Sequence, residues 1–158
     1  AADGFPKHLV FTHQAADPDG DSRNNLLEFV FDTDPLIQDQ AAHFAASLDA
    51  GGKLYAQHCA QCHQASGEGG TQAWPPLAGN PTVTAASPIN AIRMVVDGGF
   101  APATKDNPRP HGMPPFGQLL NDNDVAMLVS YIRNSWGNQA GGVTPLEVKR
   151  ARAASTRT

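Results

Sequence analysis

The chain has 158 residues, of which 41% are hydrophobic, 16% charged and only 7% aromatic, with 15 glycines and 13 prolines. Such a length suits one compact domain with some extension, and the Gly and Pro content predicts much loop and turn. A net charge of −4 excludes the basic surface that general nucleic-acid binding needs, and no apolar run approaches a transmembrane span.

In chain order, residues 1–40 form an acidic, turn-rich lead-in; the first 50 residues carry nine acidic and two basic side chains. Ala1–Val10 lacks the basic and apolar regions of a signal peptide. Within the lead-in, Asp17, Asp19, Asp21 and Glu28 fall at positions 1, 3, 5 and 12 of a calcium-loop arrangement, in which carboxylate oxygens surround the ion. Ser22 replaces the turn glycine and Asn24 the usual apolar residue, so the motif is incomplete. The segment also resembles the short Asp-rich calcium repeats of secreted proteins, with Thr33-Asp34-Pro35 at their closing position. The competing reading is a solvated acidic turn before a short helix, and both stand at this point.

Residues 41–137 read as the main domain. Its first helix is expected from about Ala41 or Asp49 into Cys59. Gly51-Gly52 inside it marks either a close helix crossing or a plain helix boundary. Next comes Cys59-Ala60-Gln61-Cys62-His63, which uses both cysteines of the chain. This is the C-x-x-C-H spacing of covalent haem attachment. Two thiols one helical turn apart can each form a thioether to a vinyl group of one haem, and the following histidine can give the iron a ring nitrogen. A disulfide between the two would close a small strained loop, a thioredoxin-like pair wants a βαβ context, and zinc wants further ligands. Haem also makes good the shortage of aromatic core.

Residues 64–86 read as a Gly/Pro-punctuated loop. Ser87 is expected to cap a second helix with Pro88 at its first position, Ile89, Ile92 and Val96 on one face and Gly98-Gly99 as the stop. Residues 100–120, with five prolines, read as irregular. Asn121 then caps the most periodic helix, in which Val125, Leu128, Val129, Ile132 and Trp136 share a face and Gly137 ends it. Residues 138–158 form a basic tail; Thr144 and Glu147 have capping-box spacing before a short helix with Lys149, Arg150 and Arg152 exposed.

Taken together, C-x-x-C-H at the end of a helix, the Gly/Pro loop, a middle helix, a methionine in a Pro-rich loop and an amphipathic C-terminal helix resemble class I cytochrome c. Met113-Pro114-Pro115-Phe116-Gly117, Tyr131-Ile132-Arg133-Asn134-Ser135-Trp136-Gly137 and Pro75-Pro76-Leu77-Ala78-Gly79-Asn80 look more narrowly like cytochrome c domains serving periplasmic dehydrogenases of alcohols, aldehydes and sugars. The resemblance covers about residues 45–140. It implies an all-α class I cytochrome c fold of three to five helices around one covalent haem c, preceded by a loop-rich extension. It implies haem held by Cys59 and Cys62, iron ligated by His63 and Met113, a second-shell carbonyl at Pro75 and haem packing by Leu77. Gly51 and Tyr55 take the places where the first helix crosses the last, near Tyr131.

Met94 and Met127 sit inside helices and are expected in the core; His111 is the rival distal ligand, and His58 is expected to turn away from the iron. His8, His13 and His43 show no partner spacing. Phe100, Ala101, Pro102, Pro114 and Phe116 are candidates for the surface around the haem edge. The implied function is single-electron transfer in the periplasm from a dehydrogenase toward an oxidase or other redox protein, without catalysis by this chain. The chain is then a mature protein or a domain of a larger oxidoreductase. The alternative is a five-coordinate haem enzyme or gas-binding sensor.

Overall fold

The computed structural model describes residues 35–70, 74–100, 103–105, 108 and 111–155. The chain divides into two units, Ala1–Ala42 and His43–Thr158. Within the first unit the described residues are the opening turns of a helix; the second holds the core.

Helix α1 spans Pro35–His58. It starts earlier than expected, because the alanine-rich stretch after Pro35 has no breaker and proline itself suits a first helical turn. Asp49 and Lys53 pair one turn apart at 2.7 Å on its exposed side. Its buried positions are Gly51 and Tyr55, four residues apart, and Cys59 just beyond its end continues the spacing. The glycine pair therefore marks a crossing rather than a boundary: a Cβ on Gly51 would stand 2.2 Å from the Met127 carbonyl oxygen and 2.7 Å from Tyr131 Cβ. The Tyr55 and Tyr131 rings meet at 5.6 Å over the same crossing.

The helical path runs on through Cys59, whose N–H donates to the Tyr55 carbonyl at 2.9 Å, into the short helix α2, Ala60–His63. Gln64, at φ 63°, turns the chain out of it. Helix α3, Ile89–Asp97, buries Ile92, Val95 and Val96. Here the expected cap is corrected. Pro88 occupies the N-cap position, its carbonyl takes the first helical bond from Ile92, and no side chain caps the helix. Gly98, at φ 68°, ends α3 and leads directly into strand β1, Gly99–Phe100, which pairs antiparallel with β2, Gly112–Met113. Residues 100–120 are thus not wholly irregular. Gly98 is needed because a Cβ there would lie 2.5 Å from the Met113 carbonyl.

Helix α4, Asp122–Arg133, opens on a full capping box: Asn121 accepts from the Asn123 and Asp124 amides at 2.8 and 3.0 Å, and Asp124 accepts from the Asn121 amide at 3.0 Å. Val125, Leu128 and Val129 have no exposed area, each worth about 1.5–3 kcal/mol of apolar burial. Trp136 does not extend this face. The helix ends at Arg133, and Trp136 takes a left-handed φ of 55°.

Helix α5, Pro145–Ser155, has the expected Thr144–Glu147 box, with the Thr144 amide donating to Glu147 at 2.8 Å and the Glu147 amide donating to Thr144 Oγ1 at 3.3 Å. It packs on α3 and α4 and buries Val148 and Ala151. Arg152 is not exposed as expected. Its guanidinium pairs with Asp122 at 2.7 Å and donates to the Gly117 and Leu120 carbonyls at 2.6 Å each, which ties the tail helix to the turn before α4. Among the described residues, no helix is long and apolar enough to cross a membrane.

Candidate cofactor site

A cavity of about 620 Å³, mostly apolar, opens between the end of α1, the loop 64–86, α3, the β-ladder and α4. One wall carries Cys59, Cys62 and His63. Both cysteines are free thiols; Cys59 is buried and Cys62 half-buried. Burial, helped by the neighbouring Cys62, pushes the Cys59 thiol up to about 11. A disulfide-exchange cysteine needs the opposite shift, so Cys59 is not tuned as a redox nucleophile.

His63 is buried, and its Nδ1–H donates to the Pro75 carbonyl at 3.2 Å. A carbonyl can only accept, so Nδ1 carries the proton and Nε2 keeps its lone pair. Burial holds the imidazole pKa below its ordinary value against the opposing pull of that carbonyl, which favours the neutral, metal-binding form. The Tyr55 hydroxyl donates to the Gln64 carbonyl at 2.6 Å, fixing the exit of α2; burial raises its pKa far beyond the usual phenol range.

Met113, half-buried on β2, borders the same cavity, as do Pro75 and Leu77. The ladder bonds of β2 to Gly99 and the bonds from the Phe116 and Gly117 amides to the Val95 and Val96 carbonyls, at 2.9 and 3.0 Å, hold its loop against α3. Met94 is not a core residue. It is 44% exposed and lines the cavity, with its sulfur 3.2 Å from where a Gly99 Cβ would stand. His58 borders the cavity with its ring 5.9 Å from that of Phe116. His111 is exposed at the rim, 5.4 Å from Trp74. His43 is exposed on α1.

Of the expected rim, Phe100 is 80% exposed, Pro114 is exposed and Phe116 is half-buried. Ala101, Pro102, His8, His13 and the calcium-loop residues Asp17, Asp19, Asp21 and Glu28 lie outside the described residues. Among the described residues, no group of three or more His, Cys, Asp or Glu gathers to hold a bare metal ion.

Two residues around the site escaped sequence reasoning. Arg133, 2% exposed, donates to the carbonyls of Gly141, Val83 and Ala85 at 2.9, 2.7 and 2.9 Å. Asn138, 4% exposed, donates to the Leu77 and Ile132 carbonyls at 3.0 and 2.9 Å and accepts from the Gly79 amide at 2.8 Å. Most of their partners, Val83, Ala85, Leu77 and Gly79, are backbone groups far away in the chain, which no local pattern announces.

The family described as Cytochrome c matches residues 48–136, more than half of the chain. The chain is 39% identical over 94 residues to the cytochrome c subunit of alcohol dehydrogenase (quinone) from Gluconobacter oxydans (strain 621H), covering 60% of this chain and 20% of that subunit. It is 34% identical over 120 residues to the subunit of the same name from Komagataeibacter europaeus, covering 75% of this chain and 26% of the relative. A third relative is the gluconate 2-dehydrogenase cytochrome c subunit of Pantoea cypripedii, 38% identical over 96 residues, 57% of this chain and 21% of that one. The chain thus spans about a fifth to a quarter of the length of these relatives.

Proposed function

The chain belongs to the cytochrome c family, and from that premise we propose that it carries single electrons on one covalently bound haem c, with Cys59 and Cys62 as the thioether anchors and His63 and Met113 as the iron ligands. The observation that carries this reading is the cavity wall itself. Two free thiols one turn apart flank a neutral imidazole whose Nδ1 is engaged by Pro75, which leaves Nε2 for a metal. The remaining lining is mainly apolar and holds no cluster for a bare ion, so it suits a large flat organic group that brings most of its own iron ligands. When bound, haem supplies reversible one-electron chemistry, and histidine–methionine ligation raises its potential.

The chain's own residues do the rest. Pro75 orients His63 and raises its basicity. The ladder and the bonds to α3 hold the Met113 loop, while Leu77, Val129 and Ile132 exclude water from the cavity wall. With His63 and Met113 holding the iron, no position would be left for substrate, so the chain would work as an electron carrier and not as a catalyst. The five-coordinate alternative leaves Met113 without a role.

The donor we propose is a dehydrogenase of alcohols or sugars, since the relatives are cytochrome subunits of alcohol, gluconate and fructose dehydrogenases. The acceptor is an oxidase or another redox protein, and the compartment is the periplasm, where such attachment takes place. The calcium reading of Asp17, Asp19, Asp21 and Glu28 stays a proposal; calorimetric titration with calcium chloride tests it, with binding expected in the wild type and lost in Glu28→Gln.

A spectrum of the oxidised holoprotein tests the ligand set. A weak band near about 700 nm from sulfur on ferric iron is expected, together with no CO binding after reduction. Met113→Ala should lose the band and gain CO binding. A wild type that already binds CO and lacks the band contradicts the reading.

A further inference from the structure

We propose that the end of α4 and the turn after it, residues 133–138, form a clasp that positions the His63 ring by holding the loop that supplies its hydrogen-bond acceptor; this rests on the assignment of His63 as iron ligand made above. The described residues of the loop 64–86 contain no helix, and their only ladder contact is the Gly70–Trp74 bridge. Something else must fix where Pro75 sits. Three side chains within six residues do so, each reaching backbone roughly fifty to seventy positions away. Arg133 donates to Val83 and Ala85, the Trp136 indole N–H donates to the Ala65 carbonyl at 3.0 Å, and Asn138 grips Leu77 and Gly79 from both sides.

The clasp closes the loop at both ends and in the middle. Ala65 lies two residues after His63, Leu77 two after Pro75, and Val83 on the cavity wall. Leu77 is held twice, since its own amide donates to the Gly67 carbonyl at 2.7 Å. The geometry of the turn is strained to allow this. Trp136 in the left-handed region costs about 1–3 kcal/mol, which persists only where surrounding contacts require it. Those contacts are the Tyr55 and Tyr131 rings at 4.8 and 5.5 Å and Gly67, where a Cβ would stand 2.4 Å from the indole.

The consequence lies in the His63–Pro75 bond. At 3.2 Å it sits at the long end of the useful range, so a shift of the loop by a few tenths of an ångström weakens it steeply. Asn138, two residues beyond the indole anchor, is therefore a positioning residue acting through Leu77 and Pro75 on His63. Weakening that bond makes the imidazole a poorer donor to the iron and moves the midpoint potential upward.

The test uses the full holoprotein and follows the His63 ring N–H by hyperfine-shifted NMR, alongside potentiometry. Asn138→Ala should speed solvent exchange of that proton about tenfold or more and raise the potential. Asn138→Asp, which keeps the acceptor for Gly79 but not the donors, should fall between it and the wild type, and stands in if the alanine variant does not fold. Val148→Ala, a core deletion on α5, should lower the melting temperature without changing the exchange. Equal exchange in Asn138→Ala and Val148→Ala overturns the clasp. A wild type with no hyperfine-shifted His63 ring overturns the ligand assignment instead, and the two failures are told apart by that spectrum.

Discussion

Two adjacent glycines in one helix should respond unequally to the same methyl group. In Gly51→Ala the new Cβ meets the Met127 carbonyl oxygen at 2.2 Å and Tyr131 Cβ at 2.7 Å. One of these is backbone, so no rotamer change relieves the contact and the helices must part. Overpacking of this kind costs about 3 kcal/mol, at the upper end of the usual range. Replacing glycine within a helix returns about 1 kcal/mol. The clash wins, for a net loss near about 2 kcal/mol. In Gly52→Ala the nearest atom is Tyr131 Cε2 at 3.1 Å, the edge of a ring that can tilt. There the propensity gain and a small ring shift nearly cancel, and stability stays within about 1 kcal/mol of the wild type. Thermal unfolding of the oxidised holoprotein followed by far-UV circular dichroism measures both. Gly51→Ala should melt roughly 6–12 °C lower, while Gly52→Ala stays close to the wild type. Equal melting temperatures for the two variants, or a stabilised Gly51→Ala, would refute the crossing geometry.

Other outcomes follow from the same structure. Both Met94 and Met113 line the cavity, and on the proposed assignment to Met113 the Met94→Leu variant should keep the band near about 700 nm; losing the band there would move the ligand from Met113 to Met94. Arg133→Ala leaves the carbonyls of Gly141, Val83 and Ala85 without their donor and should cost about 3 kcal/mol or more in denaturant titration. Arg133→Lys should recover only part of that, since an ammonium lacks the planar fork. For Glu147, the hydrogen bonds from the Thr144 amide and hydroxyl hold the carboxyl below its ordinary 4.5. Its folded pKa is thus the depressed one, so its contribution is present above 4.5 and lost as pH falls through the folded value. The stability gap between wild type and Glu147→Gln should narrow on acidification across that window, and a gap that widens would contradict the cap.

What could be read from the residues was what rests on local chemistry. Cys59, Cys62 and His63 carry their spacing within one turn, and Asn121 and Thr144 announce their caps; the glycine pair leaves a crossing and a boundary open, and only the family resemblance points Gly51 and Tyr55 to the crossing. Met94 was misjudged because apolar periodicity does not distinguish a core from a cavity wall. On α3, Ile92 and Val96 take the core side, Met94 the cavity side, and buried Val95 borders both. Trp136 fits the α4 period by spacing, yet the helix ends three residues earlier and packing against Tyr55 and Tyr131 decides its place. Arg152, Arg133 and Asn138 look like surface polar residues until their carbonyl partners arrive from distant segments. The two-residue β-ladder depends on Gly98 turning the chain beside Met113, a tertiary coincidence with no strand pattern behind it.

The most direct measurement is the intact mass of the mature, denatured protein. Thioethers at Cys59 and Cys62 predict a mass greater than the polypeptide by one haem, with colour that acidic acetone does not extract. A mass equal to the bare polypeptide, or a pigment that partitions away from the chain, contradicts the account.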